Sequence, residues 1–179
     1  MRRDEMEHLI RAAGTILNED RLIIVGSQSI LGRYANGLPE EATLSQELDI
    51  LPFDDPDERK ADLITGTLGE GSLFFETYHV YADGVAQSTS RLPRNWEERL
   101  IPVLTDATRG VTAYCLEPHD LLIAKYLANR EKDRTFCRAI VQSGLVHMKT
   151  LEERVTETDC TLEEAARVLG AIRNDFKSV

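Results

Sequence analysis

Cysteine is scarce: Cys115, Cys137 and Cys160 are the only thiols in 179 residues. An odd, scattered set offers neither a disulfide framework nor the paired spacing of a zinc site. His8, His79, His119 and His147 pair with no cysteine or second histidine at metal spacing, so each reads as a surface or capping residue. Long apolar runs are missing too. The stretch Leu22-Ile23-Ile24-Val25 is far below the roughly 20 residues a membrane-spanning helix needs, so no membrane association is expected. Met1-Arg2-Arg3 is followed by Asp4, Glu5, Glu7 and His8 where a signal peptide carries its apolar segment, and a cytoplasmic location is expected. A basic excess is also absent: 21 Lys plus Arg face 31 Asp plus Glu, a formal charge of −10. Sequence-independent attachment to nucleic acid or an acidic membrane needs the opposite sign, although a local basic patch stays open. Two catalytic motifs are missing as well. Gly26-Ser27-Gln28-Ser29-Ile30 lacks the second glycine of a hydrolase elbow, and Gly32 is followed by Arg33-Tyr34 rather than the Lys-Ser/Thr of a phosphate loop.

What is present fits one compact domain, or one domain with a helical extension. Met6, Leu9, Ile10, Ala13, Ile16 and Leu17 recur at the helical period and predict a helix over 3–17. The β-branched run 21–25 predicts a buried strand, and the pattern from Ser27 through Tyr34 turns helical until Asn36-Gly37-Leu38-Pro39 breaks it. Residues 47–51 alternate acidic and apolar types, as a strand with one polar face does. A helix is expected over 57–68 with Ala61, Leu63, Ile64 and Leu68 inward. The aromatic-rich stretch 73–82 reads as one or two strands, with further strands at 100–104 and 111–116. Helical patterns then cover 118–129, 131–143, 149–156 and 162–176, with Pro118 at a first turn and a Thr161/Glu164 capping box. The expectation is an α/β (α+β) core over 1–115 and a helical part over 116–179 packed on it as one unit.

Two features carry chemistry. In the first, a buried strand runs into Gly26-Ser27 and a helix begins at once. Glycine admits close approach to its backbone, Ser27 can cap the helix, and the free N–H groups of a first turn suit an anion such as a triphosphate. The same turn also serves as an ordinary strand-to-helix connection. In the second, Glu47 and Asp49 are two positions apart, so a strand projects both from one face while Leu48 and Ile50 point to the core. Neighbouring carboxylates repel unless a cation lies between them, and such oxygen ligands suit Mg2+. A solvated edge strand would present the same alternation.

Taken together, Gly26-Ser27 followed by Glu47-Leu48-Asp49 resembles the nucleotidyltransferase signature of the DNA polymerase beta superfamily, a Gly-Ser or Gly-Gly turn and then a strand bearing a D/E-x-D pair. The chain is similar to a family of small bacterial nucleotidyltransferase-like proteins through this turn, the Glu47-Leu48-Asp49-Ile50 strand, Cys115 to Leu122 leading to Lys125, and the Arg130-Glu131-Lys132-Asp133 run. The resemblance implies a nucleotidyltransferase-fold mixed sheet. It also implies transfer of a nucleoside monophosphate from a nucleoside triphosphate to a hydroxyl or phosphate acceptor, with RNA, protein and small molecules all open as acceptors. In that chemistry Glu47 and Asp49 hold one or two Mg2+ ions, and Gly26 and Ser27 cradle the outer phosphates. The distantly similar abortive-infection and toxin–antitoxin nucleotidyltransferases imply two more site residues. Lys125 would neutralise triphosphate charge, and Asp133 would complete the metal site or act as base. A defence setting with a cognate antitoxin protein is part of the same implication.

The pattern has departures. The superfamily's third carboxylate has two candidates, Glu76 and Asp83, which spacing does not separate, and the first acid of the pair is Glu rather than Asp. A catalytically inactive interaction module that keeps the fold is therefore the competing reading. Lys125 could equally lay its stem along an apolar helix, and Asp133 could sit in a solvated charge run. Arg91, Arg94, Arg99 and Arg109, with Trp96 among them, could receive an RNA end with the indole stacked on a base, or be scattered surface arginines balanced by Glu97, Glu98 and Asp106.

Overall fold

A computed structural model of the chain describes residues 1–177. The amphipathic α1 (Arg3–Leu17) leads through left-handed Asn18 into β1 (Arg21–Val25), a 3-10 turn (Ser27–Gly32) and the short α2 (Glu40–Thr43). Next come β2 (Glu47–Pro52), α3 (Arg59–Leu68), α4 (Leu73–Tyr78), β3 (Tyr81–Gly84), β4 (Ile101–Val103) and β5 (Thr112–Cys115). Four helices finish the described chain: α5 (Pro118–Ala128), α6 (Glu131–Gln142), α7 (Met148–Thr156) and α8 (Leu162–Lys177). The strands form one mixed sheet ordered β3-β2-β1-β5-β4, in which β1 pairs antiparallel with β2 and parallel with β5. The chain thus has the expected mixed α/β architecture, with helices flanking the sheet.

Register explains why the two faces of the sheet differ. Leu22, Ile24, Leu48, Ile50, Ala82, Ala113 and Cys115 share one face and are fully buried. α1 and α3 cover that face, and α3 comes so close that a Cβ on Gly84 would collide with the Ala61 backbone. On the opposite face the pairings Val25↔Asp49 and Asp49↔Asp83 set three side chains in a row across β1, β2 and β3. α5 packs on the 3-10 turn and on α6, α7 and α8, closing one side of this second face. Among the described residues no helix is long and apolar enough to cross a membrane.

Three local expectations are corrected. Residues 73–78 are helix, not strand: Ser72 caps α4 by accepting from the Phe75 N–H at 3.1 Å, and Phe74 meets Tyr78 one turn later at 4.7 Å between ring centroids. Aromatic content suggested a strand, but the cap and the i,i+4 pair favour a helix turn. Leu63 faces solvent at 47% exposure rather than the core. The helix expected from Ser27 stops as a 3-10 turn at Gly32, although Tyr34 still docks by donating its hydroxyl to the Leu145 carbonyl at 2.8 Å. The Thr161/Glu164 capping box forms as expected, with contacts of 2.9 and 3.2 Å.

Candidate active site

Strand β1 ends at Gly26, whose φ of +64° places it where side-chain-bearing residues are rare. The conformation is only half of the reason for glycine. The Asp49 carboxylate lies flush against the Gly26 backbone, and any Cβ there would collide with its Oδ2. The glycine turn and the acidic strand are therefore parts of one surface, brought together by the antiparallel pairing of Val25 with Asp49.

Gly26, Ser27, Glu47, Asp49 and Lys125 line a single cleft of about 1180 Å³. Its floor is the open sheet face. Its far wall comes from α5 and the start of α6, which supply Lys125, Arg130 and Lys132, and a rim is formed by Ser88 to Arg91. Five of the six predicted site residues thus line one cavity, and Asp133 is the exception.

The electrostatics of the acidic wall are strained. Burial, then the charges of Asp49 and Asp83, raise the Glu47 pKa, and a hydrogen bond with Asp83 adds to this; Lys132 opposes them. Burial likewise raises Asp49, against the pull of Lys125, Lys132 and Arg130 and with a further push from Asp83. Tyr81, beside Glu47 in register on β3, has its phenol pushed up to about 12 by burial and by the surrounding carboxylates. A site that holds more negative charge than its protein partners neutralise is suited to a cation.

Asp83 is the residue the spacing could not single out. Parallel pairing of β2 with β3 places it directly beside Asp49, whereas Glu76 sits exposed on α4. Among the described residues, no three or more His, Cys, Asp or Glu side chains form a ready-made metal cage. Mg2+ rarely uses such a cage; one or two carboxylates plus substrate phosphates are its usual ligands, and Glu47 with Asp49 fit that donor set.

Asp133 is placed differently. Its side chain is fully buried behind the cleft wall, and it is not among the residues lining the cavity. Oδ1 accepts from Lys125 Nζ at 3.1 Å and from Arg130 Nη2 at 3.2 Å, while Oδ2 accepts from Arg130 Nε at 2.6 Å. Burial pushes its pKa up, but the hydrogen bonds and charges of Arg130 and Lys125 outweigh this and leave it lowered. Lys125 is itself buried, its ammonium 4.7 Å above the Phe136 ring. The arginine-rich stretch is mostly committed to structure: Arg99 pairs with buried Asp120 at 2.8 Å, Arg91 with Glu164 at 2.7 Å, and Trp96 is buried. His119 is neither a surface residue nor a cap: its Nδ1 lies 2.7 Å from Glu117 Oε1 and its Nε2 accepts the His147 N–H at 3.0 Å, while Glu117 caps α5.

Curated proteins and solved structures give no match to the chain. A family described as nucleotidyltransferase of unknown function (DUF6036) matches residues 4–178. With a strand-to-turn glycine pressed on an acidic strand and nearly its whole length matched, the chain belongs to that nucleotidyltransferase family.

Proposed function

We propose that the protein transfers a nucleoside monophosphate from a nucleoside triphosphate to an acceptor hydroxyl or phosphate, with Mg2+ held by Glu47 and Asp49. The observation that carries this reading is the contact of Gly26 with the Asp49 carboxylate, inside a cleft that also presents Ser27, Glu47 and Lys125. In the reaction an acceptor oxygen bonds to the α-phosphorus, the bond from that phosphorus to the bridging oxygen breaks, and pyrophosphate leaves. Bound Mg2+ would supply charge neutralisation to the phosphates and acidify the acceptor. Ser27 and the Gly26 turn hold the outer phosphates, and Lys125 offsets their charge from the opposite wall. Asp83, beside Asp49 in register, adds a third carboxylate behind this acidic wall.

The acceptor class within this proposal is open to RNA, protein or a small molecule, and the setting we favour is a toxin–antitoxin or defence system. The test is incubation of the protein and Mg2+ with α-labelled triphosphates and total cellular RNA or protein. Label transfer that disappears in Asp49→Ala supports the reading. Triphosphate binding without transfer to any acceptor class would favour an inactive interaction module.

A further inference from the structure

We infer that Arg130 and Lys125 form a two-cation clamp for the triphosphate, set in place by Asp133 as a positioning residue that neither ligates metal nor takes a proton. This rests on the nucleotidyl-transfer reading of the cleft and assigns work within it.

The geometry separates the three side chains. Asp133 has no solvent exposure and both its oxygens are occupied, one by Lys125 and Arg130 together and one by Arg130 alone. A carboxylate acting as metal ligand or base needs a lone pair facing the substrate, and Asp133 is fully buried with three of its acceptor positions held by Lys125 and Arg130. Lys125 and Arg130 do face the cleft, from positions eight and three residues away from Asp133. Arg130 keeps 62% of its side chain exposed although its Nε and Nη2 are pinned, and Lys125 keeps 7%. A guanidinium anchored at one edge still presents its remaining N–H groups, which suits phosphate oxygens. One anion shared by two cations leaves a positive surplus at the cleft wall opposite Glu47 and Asp49. A bridging triphosphate would join the two walls. Pinning both cations before the substrate arrives also lowers the ordering cost of binding.

The test is titration calorimetry of the full chain with the Mg2+ complexes of ATP, GTP, CTP and UTP, with steady-state kinetics wherever transfer is measurable. For the triphosphate that the wild type binds, Arg130→Met and Asp133→Asn should each weaken affinity about tenfold or more. They should also raise KM by more than they lower kcat. Asp133→Asn added to Lys125→Met should cost less than the two single losses combined, since the aspartate acts in part through the lysine. Asp133→Asn strands a buried ammonium and can unfold the chain, so Lys125→Met/Asp133→Leu, which removes both partners, carries the same comparison. Its affinity should fall below that of Lys125→Met by less than Asp133→Asn alone costs, because only Arg130 is then left to be positioned. A folded Asp133→Asn that binds triphosphate like wild type but loses transfer overturns the clamp and returns Asp133 to the chemistry. Equal binding by Arg130→Met and wild type overturns it as well. A wild type that binds no triphosphate removes the nucleotidyl-transfer reading, and the clamp with it.

Discussion

Two acidic sites within this fold differ in their partners, although burial raises the pKa of Asp120 as it does those of Glu47 and Asp49. Asp120, fully buried at the start of α5, is met by Arg99 at 2.8 Å and Arg154 at 3.0 Å, tying the segment before β4 to α5 and α7. Glu47, Asp49 and Asp83 sit together on the open sheet face, and the pKa values of Glu47 and Asp49 are pushed up by burial and by neighbouring carboxylates. The arginine-paired aspartate holds elements together. The crowded carboxylates destabilise the empty fold, and that kind of frustration is retained where a ligand relieves it. Asp133 belongs with Asp120, although the chain around it reads as part of the active-site motif.

The sharpest way to break this comparison is to remove one carboxylate from each site. Asp49→Ala should lower nucleotidyl transfer by about a thousandfold or more while leaving thermal unfolding unchanged or shifted upward, read by a label-transfer assay and a calorimetric melt. Asp120→Ala should do the reverse, costing about 3–5 kcal/mol of stability in urea titration because two arginines lose their buried partner. Whatever folded fraction remains should bind triphosphate normally.

A smaller effect is expected at the turn. Gly26→Ala forces a Cβ into the left-handed region and against Asp49, at a cost of about 1–3 kcal/mol in denaturant unfolding, together with loss of divalent binding. The smallest effect is one of pH. A carboxyl whose folded pKa is raised binds protons more readily in the native state, so it opposes folding above that pKa and the opposition fades as pH falls through it. Asp49→Asn should therefore be more stable than wild type at pH 7 to 8, and the gap should close on acidification. Asp133 has the opposite sign: its lowered pKa contributes stability above the unfolded value that is lost as pH falls through the folded one.

Much of this site was legible in the sequence because its parts lie on local patterns. The alternation at Glu47-Leu48-Asp49-Ile50 fixes which face carries the acids, and a glycine after a β-branched run marks a turn needing open space. Asp83 was not legible in the same way. Its role depends on the parallel pairing of β3 with β2, and a tertiary pairing leaves no mark on spacing within the chain. Nor could the run Arg130 to Asp133 reveal which of its charges turns inward, because helix periodicity alone does not say that Asp133 is buried against a lysine of the preceding helix. The aromatic residues of 73–78 misled for a related reason: their affinity for strands is a packing preference, and here they pack along one side of a capped helix instead.

The most direct test of the central claim is calorimetric titration of nucleoside triphosphate into the intact protein with and without Mg2+, repeated for Asp49→Asn. Saturable binding that requires the divalent ion and vanishes in the variant is the predicted result. Binding indifferent to both the metal and the substitution would contradict the account.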